Sequence, residues 1–135
     1  MIFAYLRVSA KNQHRRHRMI SALHSAQSAL NAFGTRLQSN GNNIANTQTE
    51  GFKKTRIINK EASPQGVTTQ VDKVSTPGNI MPTKTSNGLE MIELSNVDLT
   101  TEIPDMTLNA NIYKANLKTI ETVDQMTGTV LDLKS

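Results

Sequence analysis

Few side chains in this 135-residue chain could do covalent or acid–base chemistry. There are three histidines, His14, His17 and His24, and no cysteine. His14 and His17 stand at the i,i+3 spacing of two metal ligands on one helix face. Arg15, Arg16 and Arg18 crowd the same stretch and repel a cation. His24 falls on the polar side of a helix and reads as a solvated residue. No Ser-His-Asp order, HExxH, phosphate loop or GxGxxG occurs. The carboxylate pairs Asp98 with Glu102 and Glu90 with Glu93 read as charges at a helix start and on a strand face. Without cysteine there is no disulfide, thiolate zinc site or thiol nucleophile. No catalytic residue, metal ligand or cofactor site is assigned, and neither an enzyme activity nor a small-molecule substrate is expected.

The chemistry that remains is hydrogen bonding by amides. Four asparagines, Asn40, Asn42, Asn43 and Asn46, fall within seven residues. Asparagine is a poor helix former, yet its amide can bond across to a neighbouring helix or cap its own. Gly51 follows, able to take φ > 0 and turn the chain sharply. Phe52 then folds back as an anchor.

Two long elements must position these groups. Residues 19–47 carry a seam at Met19, Leu23, Ala26, Leu30, Phe33, Leu37, Asn40, Ile44 and Thr47. Its steps alternate four and three, a period of 3.5, which is the mark of a helix packing along a narrow stripe. Residues 96–135 repeat the pattern at Leu99, Ile103, Met106, Ala110, Tyr113, Leu117 and Ile120. The register then shifts to Val123, Met126, Val130 and Leu133, which reads as a local stammer. Pro104 fits only near a helix start, so this helix is expected to begin near Thr100 or Thr101. Neither stripe is stable alone in water, so the two bury each other. Between them, residues 48–95 lose helical periodicity. Val67–Val74 and Glu90–Leu94 read as short strands. Ser63-Pro64-Gln65-Gly66, Thr76-Pro77-Gly78-Asn79 and Asn87-Gly88 read as turns, with one hairpin expected across Asn87-Gly88. The expected fold is mainly α: long N- and C-terminal helices paired as an elongated coiled coil, with a small β-ribbon at one end of the pair.

Composition agrees with an assembly protein. Leu, Ile, Val and Phe make up 23% of the chain, just above the ~20% level of disordered sequences. Asn, Gln, Ser and Thr make up about a third of it. No apolar run approaches the ~18 residues needed to span a bilayer, and no secretory signal peptide is recognised. The net charge of +4 belongs to residues 1–18, which hold Arg7, Lys11, Arg15, Arg16 and Arg18 and no acid. That segment reads as a basic disordered extension or a misassigned start, with Met19 opening the seam. No aromatic interleaves its arginines, and no nucleic-acid partner is assigned.

The string Asn42-Asn43-Ile44-Ala45-Asn46, with Thr49, Gly51, Phe52 and Lys53, resembles the amino-terminal signature of the bacterial flagellar rod, hook and hook-associated axial proteins. Asn96-Val97-Asp98-Leu99, Glu102, Met106, Tyr113, Ala115-Asn116, Lys118, Ile120, Thr122, Asp124, Met126 and Leu131-Asp132-Leu133 resemble the family's carboxy-terminal signature. The resemblance implies a short proximal-rod-like subunit of the flagellar basal body. Such a subunit leaves the cell through the type III export apparatus without a cleaved signal and builds the periplasm-spanning tube. Its partners would be copies of itself and other rod and hook subunits. A hook or distal-rod subunit, or a helical export chaperone or adaptor, is the alternative. The expected assembly seam is Leu23, Leu30, Phe33, Leu37, Ile44, Met106, Tyr113, Leu117, Ile120, Met126 and Val130.

Overall fold

A computed structural model describes the backbone of residues 2–86 and 88–132 and the side chains of 19–86 and 88–129. The order of elements is α1 (Ile2–Ala45), β1 (Thr55–Glu61), β2 (Val67–Lys73), β3 (Ile80–Thr85), β4 (Gly88–Glu93) and α2 (Leu99–Asp132). The chain is thus mainly helical with a small β middle. The backbone of residues 2–18, expected as a disordered extension or misassigned start, is helical and continuous with the rest of α1.

The helices pack against each other in antiparallel sense. Asn40 bonds Glu102 and Asn109. Six residues earlier in α1, a Cβ at Gly34 would lie 3.7 Å from Tyr113 Cε2. Descending α1 therefore ascends α2. All nine positions of the expected α1 seam, from Met19 to Thr47, are buried or half-buried.

The α2 seam requires correction. Leu99, Ile103, Met106, Leu117 and Met126 are 39–52% exposed; Val130 lies outside the described side chains. The positions turned inward are Glu102, Asn109, Ala110, Ile112, Tyr113, Asn116, Ile120 and Val123, of which Ala110, Tyr113, Ile120 and Val123 belong to the expected seam. Glu102, Asn109, Asn116 and Val123 repeat every seven residues, and Tyr113 and Ile120 interleave with them at the same spacing. Admitting the polar residues thus removes the expected stammer. Polar side chains take these places because each finds a partner or lies at a half-buried margin, which leaves the apolar stripe beside them facing out.

Asp98 caps α2, its Oδ1 accepting from Thr100 N–H at 3.0 Å. The helix accordingly starts at Leu99, slightly before the expected point. Pro104 sits in the second turn and leaves the Thr100 carbonyl without its intrahelical donor.

The middle segment forms two antiparallel pairs, β1–β2 and β3–β4. The expected strands at Val67–Val74 and Glu90–Leu94 are β2 and β4. Their partner β1 was not expected, and β3 was expected only as the other arm of a hairpin across Asn87-Gly88. β1 follows directly on the asparagine-rich turn, and β3 contains Pro82, a residue that argues against a strand. The turn segments 63–66 and 76–79 lie between strands as expected, and β3 and β4 form a hairpin closing at Thr85↔Gly88.

The β1–β2 ribbon does not cap the end of the helix pair. It lies along the flank of α1, with contacts from Ser21 to Gln65, from Ser28 to Val67, from Arg36 to Ile57 and from Ser39 and Asn43 to Thr55. A second face of α1 built from Ser28, Ala32, Arg36, Ser39 and Asn43 allows this close approach. Few large residues close the interior: the buried apolar residues are Ala26, Ala32 and Ile57. At the base of the hairpin Gly78 passes so close to Leu94 that an added Cβ would collide with its carbonyl.

Candidate functional site

The asparagine-rich turn and the approach to α2 meet at one polar latch. Asn43, 1% exposed, faces the first residue of β1. Its Nδ2 donates to Thr55 O at 2.8 Å, and its Oδ1 accepts from Thr55 N–H at 2.9 Å. One amide side chain thereby stands in for a neighbouring strand. The same Nδ2 lies 3.2 Å from Glu102 Oε2. Asn40 Nδ2 donates to that oxygen at 2.8 Å, and Asn40 Oδ1 accepts from Asn109 at 2.9 Å. Lys54 Nζ stands 3.9 Å from Glu102 Oε1. Glu102 is 7% exposed and Asn109 5%. A buried carboxylate is tolerable only with such donors around it. Hydrogen bonds to a charged group contribute about 1.5–3 kcal/mol each, more than neutral ones.

Other members of the two signatures secure the surrounding turns. Asn46 caps its own helix, its Nδ2 donating to Asn42 O at 2.9 Å while its Oδ1 accepts from Thr49 Oγ1 at 3.1 Å. Gly51 takes φ of 65° and donates to Glu93 O at 2.8 Å. The helix itself ends earlier, at Ala45, so Gly51 turns the loop and not the helix. Phe52 is half-buried, and its carbonyl accepts from Asn96 N–H at 3.3 Å. Asn96 ties three segments together: its Oδ1 accepts from Lys54 N–H at 2.7 Å, and its Nδ2 donates to Val74 O at 2.9 Å and Thr76 O at 2.8 Å. Lys53 pairs with Glu93, whose Oε1 also accepts from Gly78 N–H at 2.8 Å.

These contacts set the charges. The Lys53 ammonium, followed by the Gly78 N–H, holds the Glu93 carboxyl below its ordinary value of 4.5. The Thr100 hydroxyl and N–H hold Asp98 below its ordinary value. Beside the latch lies an open cleft of about 370 Å³ lined by Arg36, Lys54, Thr55, Glu102, Asp105 and Asn109, among others. Its mixed charges offer no converging nucleophile and base. Among the described residues no group of three or more His, Asp or Glu is placed to hold a metal ion.

Of the motif residues, the structure brings Asn43 to Thr55 and Glu102, and it brings Gly51 and Lys53 to Glu93. Ala45 and Thr49 are exposed. Leu23, Leu30, Phe33, Leu37 and Ile44 line the half-buried face of α1, and Tyr113 and Ile120 that of α2. The principal partners that hydrophobic patterning misses are Thr55, Glu93, Glu102 and Asn109. For two of them a signal exists, the seven-residue spacing from Glu102 to Asn109, continued at Asn116.

Asn43→Asp keeps the acceptor for Thr55 N–H but removes the donor and sets a second carboxylate beside Glu102. The expected cost is about 2–4 kcal/mol. Adding Glu102→Gln should restore about 1 kcal/mol or more, which chemical denaturation of the two single variants and the double reads as coupling. Strictly additive losses would refute the contact.

Glu93 gives a pH dependence. A carboxyl whose folded value is depressed contributes stability above its unfolded value, and this is lost as pH falls through the folded one. The β3–β4 base should therefore loosen only below pH 4.5. Amide exchange at Gly78 should rise there, and Glu93→Gln should abolish the dependence.

Comparison with known proteins bears on both ends of this latch. Residues 23–53 match the family described as flagella basal body rod protein. Residues 90–133 match the family described as flagellar basal body rod FlgEFG protein C-terminal. Together the two matches cover more than half of the chain. A curated relative, the flagellar hook protein FlgE of Treponema pallidum (strain Nichols), is 49% identical over 43 residues, which is 32% of this chain and 9% of the relative. The chain thus aligns with a small part of that protein's length. The two matched segments contain Asn40, Asn43, Glu102 and Asn109, which meet in the latch, and they are the two regions whose signatures the sequence displays. The chain belongs to the flagellar rod and hook family of structural proteins.

Proposed function

We propose that the chain is a structural subunit of the flagellar basal-body rod that assembles with copies of itself and with other axial subunits into a tube. The observation that carries this reading is the outward stripe of α2. Leu99, Ile103, Met106 and Leu117 stand 39–52% exposed on one side of a helix whose inward positions are already filled. Apolar surface of this kind marks an interaction site. α1 and α2 pair as a coiled coil, supported by the alternating steps of four and three on both helices. The latch at Asn43 and Glu102 fixes their register and so the position of the stripe.

The subunit reaches its site through the flagellar type III export apparatus, without a cleaved signal, and occupies the periplasm-spanning rod. The FlgE match favours a second reading, a hook or distal-rod subunit, because the 49% identical segment belongs to a hook protein.

Detection of the chain in purified hook–basal bodies, sorted between rod and hook fractions, tests both readings. Leu117→Asp should leave the circular dichroism of the isolated chain unchanged and reduce incorporation at least tenfold. Leu30→Asp, placed in the half-buried α1 seam, should lower helicity as well. Full incorporation of Leu117→Asp would remove the stripe from the account.

A further inference from the structure

The two short sheets present four strand edges, and the direction of their backbone groups follows from the register. In the hairpin, Leu94 N–H donates to Asn79 O at 2.8 Å. Bonded pairs alternate from there, so 81/92, 83/90 and 85/88 bond within the hairpin. The backbone groups of Pro82, Leu89 and Met91 then point outward. In the ribbon, Ala62 N–H donates to Gly66 O at 3.0 Å and Val74 N–H to Lys54 O at 2.9 Å. There the outward residues are Thr55, Ile57, Asn59 and Glu61 on β1 and Val67, Thr69, Val71 and Lys73 on β2.

Two of the four edges are partly obstructed. α1 occupies β1, through Asn43 on both backbone groups of Thr55 and through Arg36 on Ile57 O. On β3, Pro82 points outward without an N–H. The other two edges are open. On β4 only Glu93 O is used, by Gly51 N–H. Leu89 and Met91 carry no outward partner among the described residues, and their side chains are 82% and 67% exposed. On β2 the N–H of Val67 donates to Ser28 Oγ at 3.1 Å, while Thr69, Val71 and Lys73 carry no outward partner among the described residues, and Val71 is 62% exposed.

Charge distinguishes the possible pairings of these edges. β4 carries Glu90 and Glu93 and no cation, so two β4 strands side by side would gather four carboxylates. β2 carries Asp72 and Lys73, and the β1–β2 ribbon as a whole is net +1 against −1 for the hairpin. Like charges across a strand pair are destabilising and opposite ones favourable. Pairing β2 with β2 would leave β4, the more apolar edge, uncovered.

We propose that β4 of one copy adds edge to edge to β2 of a second copy, making one four-stranded sheet in the order β3-β4-β2-β1. This rests on the self-assembly reading above. Because the two surfaces differ, each copy keeps a free β2 or β4 edge after one such contact, so the contact can repeat from copy to copy.

The chain has no cysteine, so Leu89→Cys and Val71→Cys each introduce a single thiol. The full-length variants, one of them enlarged by a tag, are mixed and treated with a short bis-maleimide. The expected product joins the tagged to the untagged variant. Met91→Pro, which removes an outward N–H and spares the bonds within the hairpin, should lower its yield at least tenfold with unchanged circular dichroism. Products joining only like variants would overturn the pairing, and so would an unaffected yield in Met91→Pro. A chain that sediments as a polymer without the mixed product refutes the edge contact and leaves self-assembly standing. A chain that remains monomeric at every concentration refutes both.

Discussion

A carboxylate withdrawn from water between two helices constrains everything around it. Glu102 is held by Asn40 and Asn43 from α1 and approached by Lys54 from the turn into β1. The remaining interior is slight, with two alanines and one isoleucine as the buried apolar residues among those described. Where apolar burial is this thin, a misplaced partner for a buried charge costs more than the loss of a methyl contact. Sliding α2 along α1 by one turn would strand Glu102 without its amides. The latch therefore sets the helix register more sharply than the aliphatic seam does, since Leu against Leu tolerates small shifts.

From that register the other features follow. Asn43 spends its amide on both backbone groups of Thr55, which starts β1 against α1 and directs the ribbon back along the helix flank. Asn96, just before α2, gathers the 52–54 and 74–76 segments. Each signature thus contributes one asparagine that organises backbone from elsewhere in the chain. With polar groups inward on α2, the apolar stripe must face out. Leu99, Ile103, Met106 and Leu117 are left exposed on one side of α2 as a result.

The helical part of this was legible in the sequence. All nine positions of the α1 seam lie against other parts of the chain, and Asn40, read there as a polar interruption able to bond across, does so. The α2 seam was displaced because the pattern was drawn through Ile103, Met106 and Leu117. The true inward row includes Glu102, Asn109 and Asn116, which a hydrophobic reading passes over. β2 and β4 stood out by their alternation and flanking turns. β1 was hidden because its start is held by side chains of α1, at both backbone groups of Thr55 and at Ile57 O, a tertiary effect with no local signal. β3 was legible only as the other arm of the hairpin expected at Asn87-Gly88, its extent hidden by Pro82, which is tolerated because its missing N–H faces outward. The flank of α1 that receives the ribbon consists largely of serine, alanine, arginine and asparagine, and polarity alone marks such a face as solvent-exposed.

The most direct test of the central claim is amide hydrogen exchange on the assembled particle. Thr55 N–H bonds only to the side chain of Asn43 and reports the latch without contribution from a helix or sheet ladder. Exchange there should be slow, comparable to the middle of α2, and rapid in an Asn43→Ala particle. Thr55 exchanging as fast as the exposed turn at Ser63–Gln65 in the unaltered particle would contradict it.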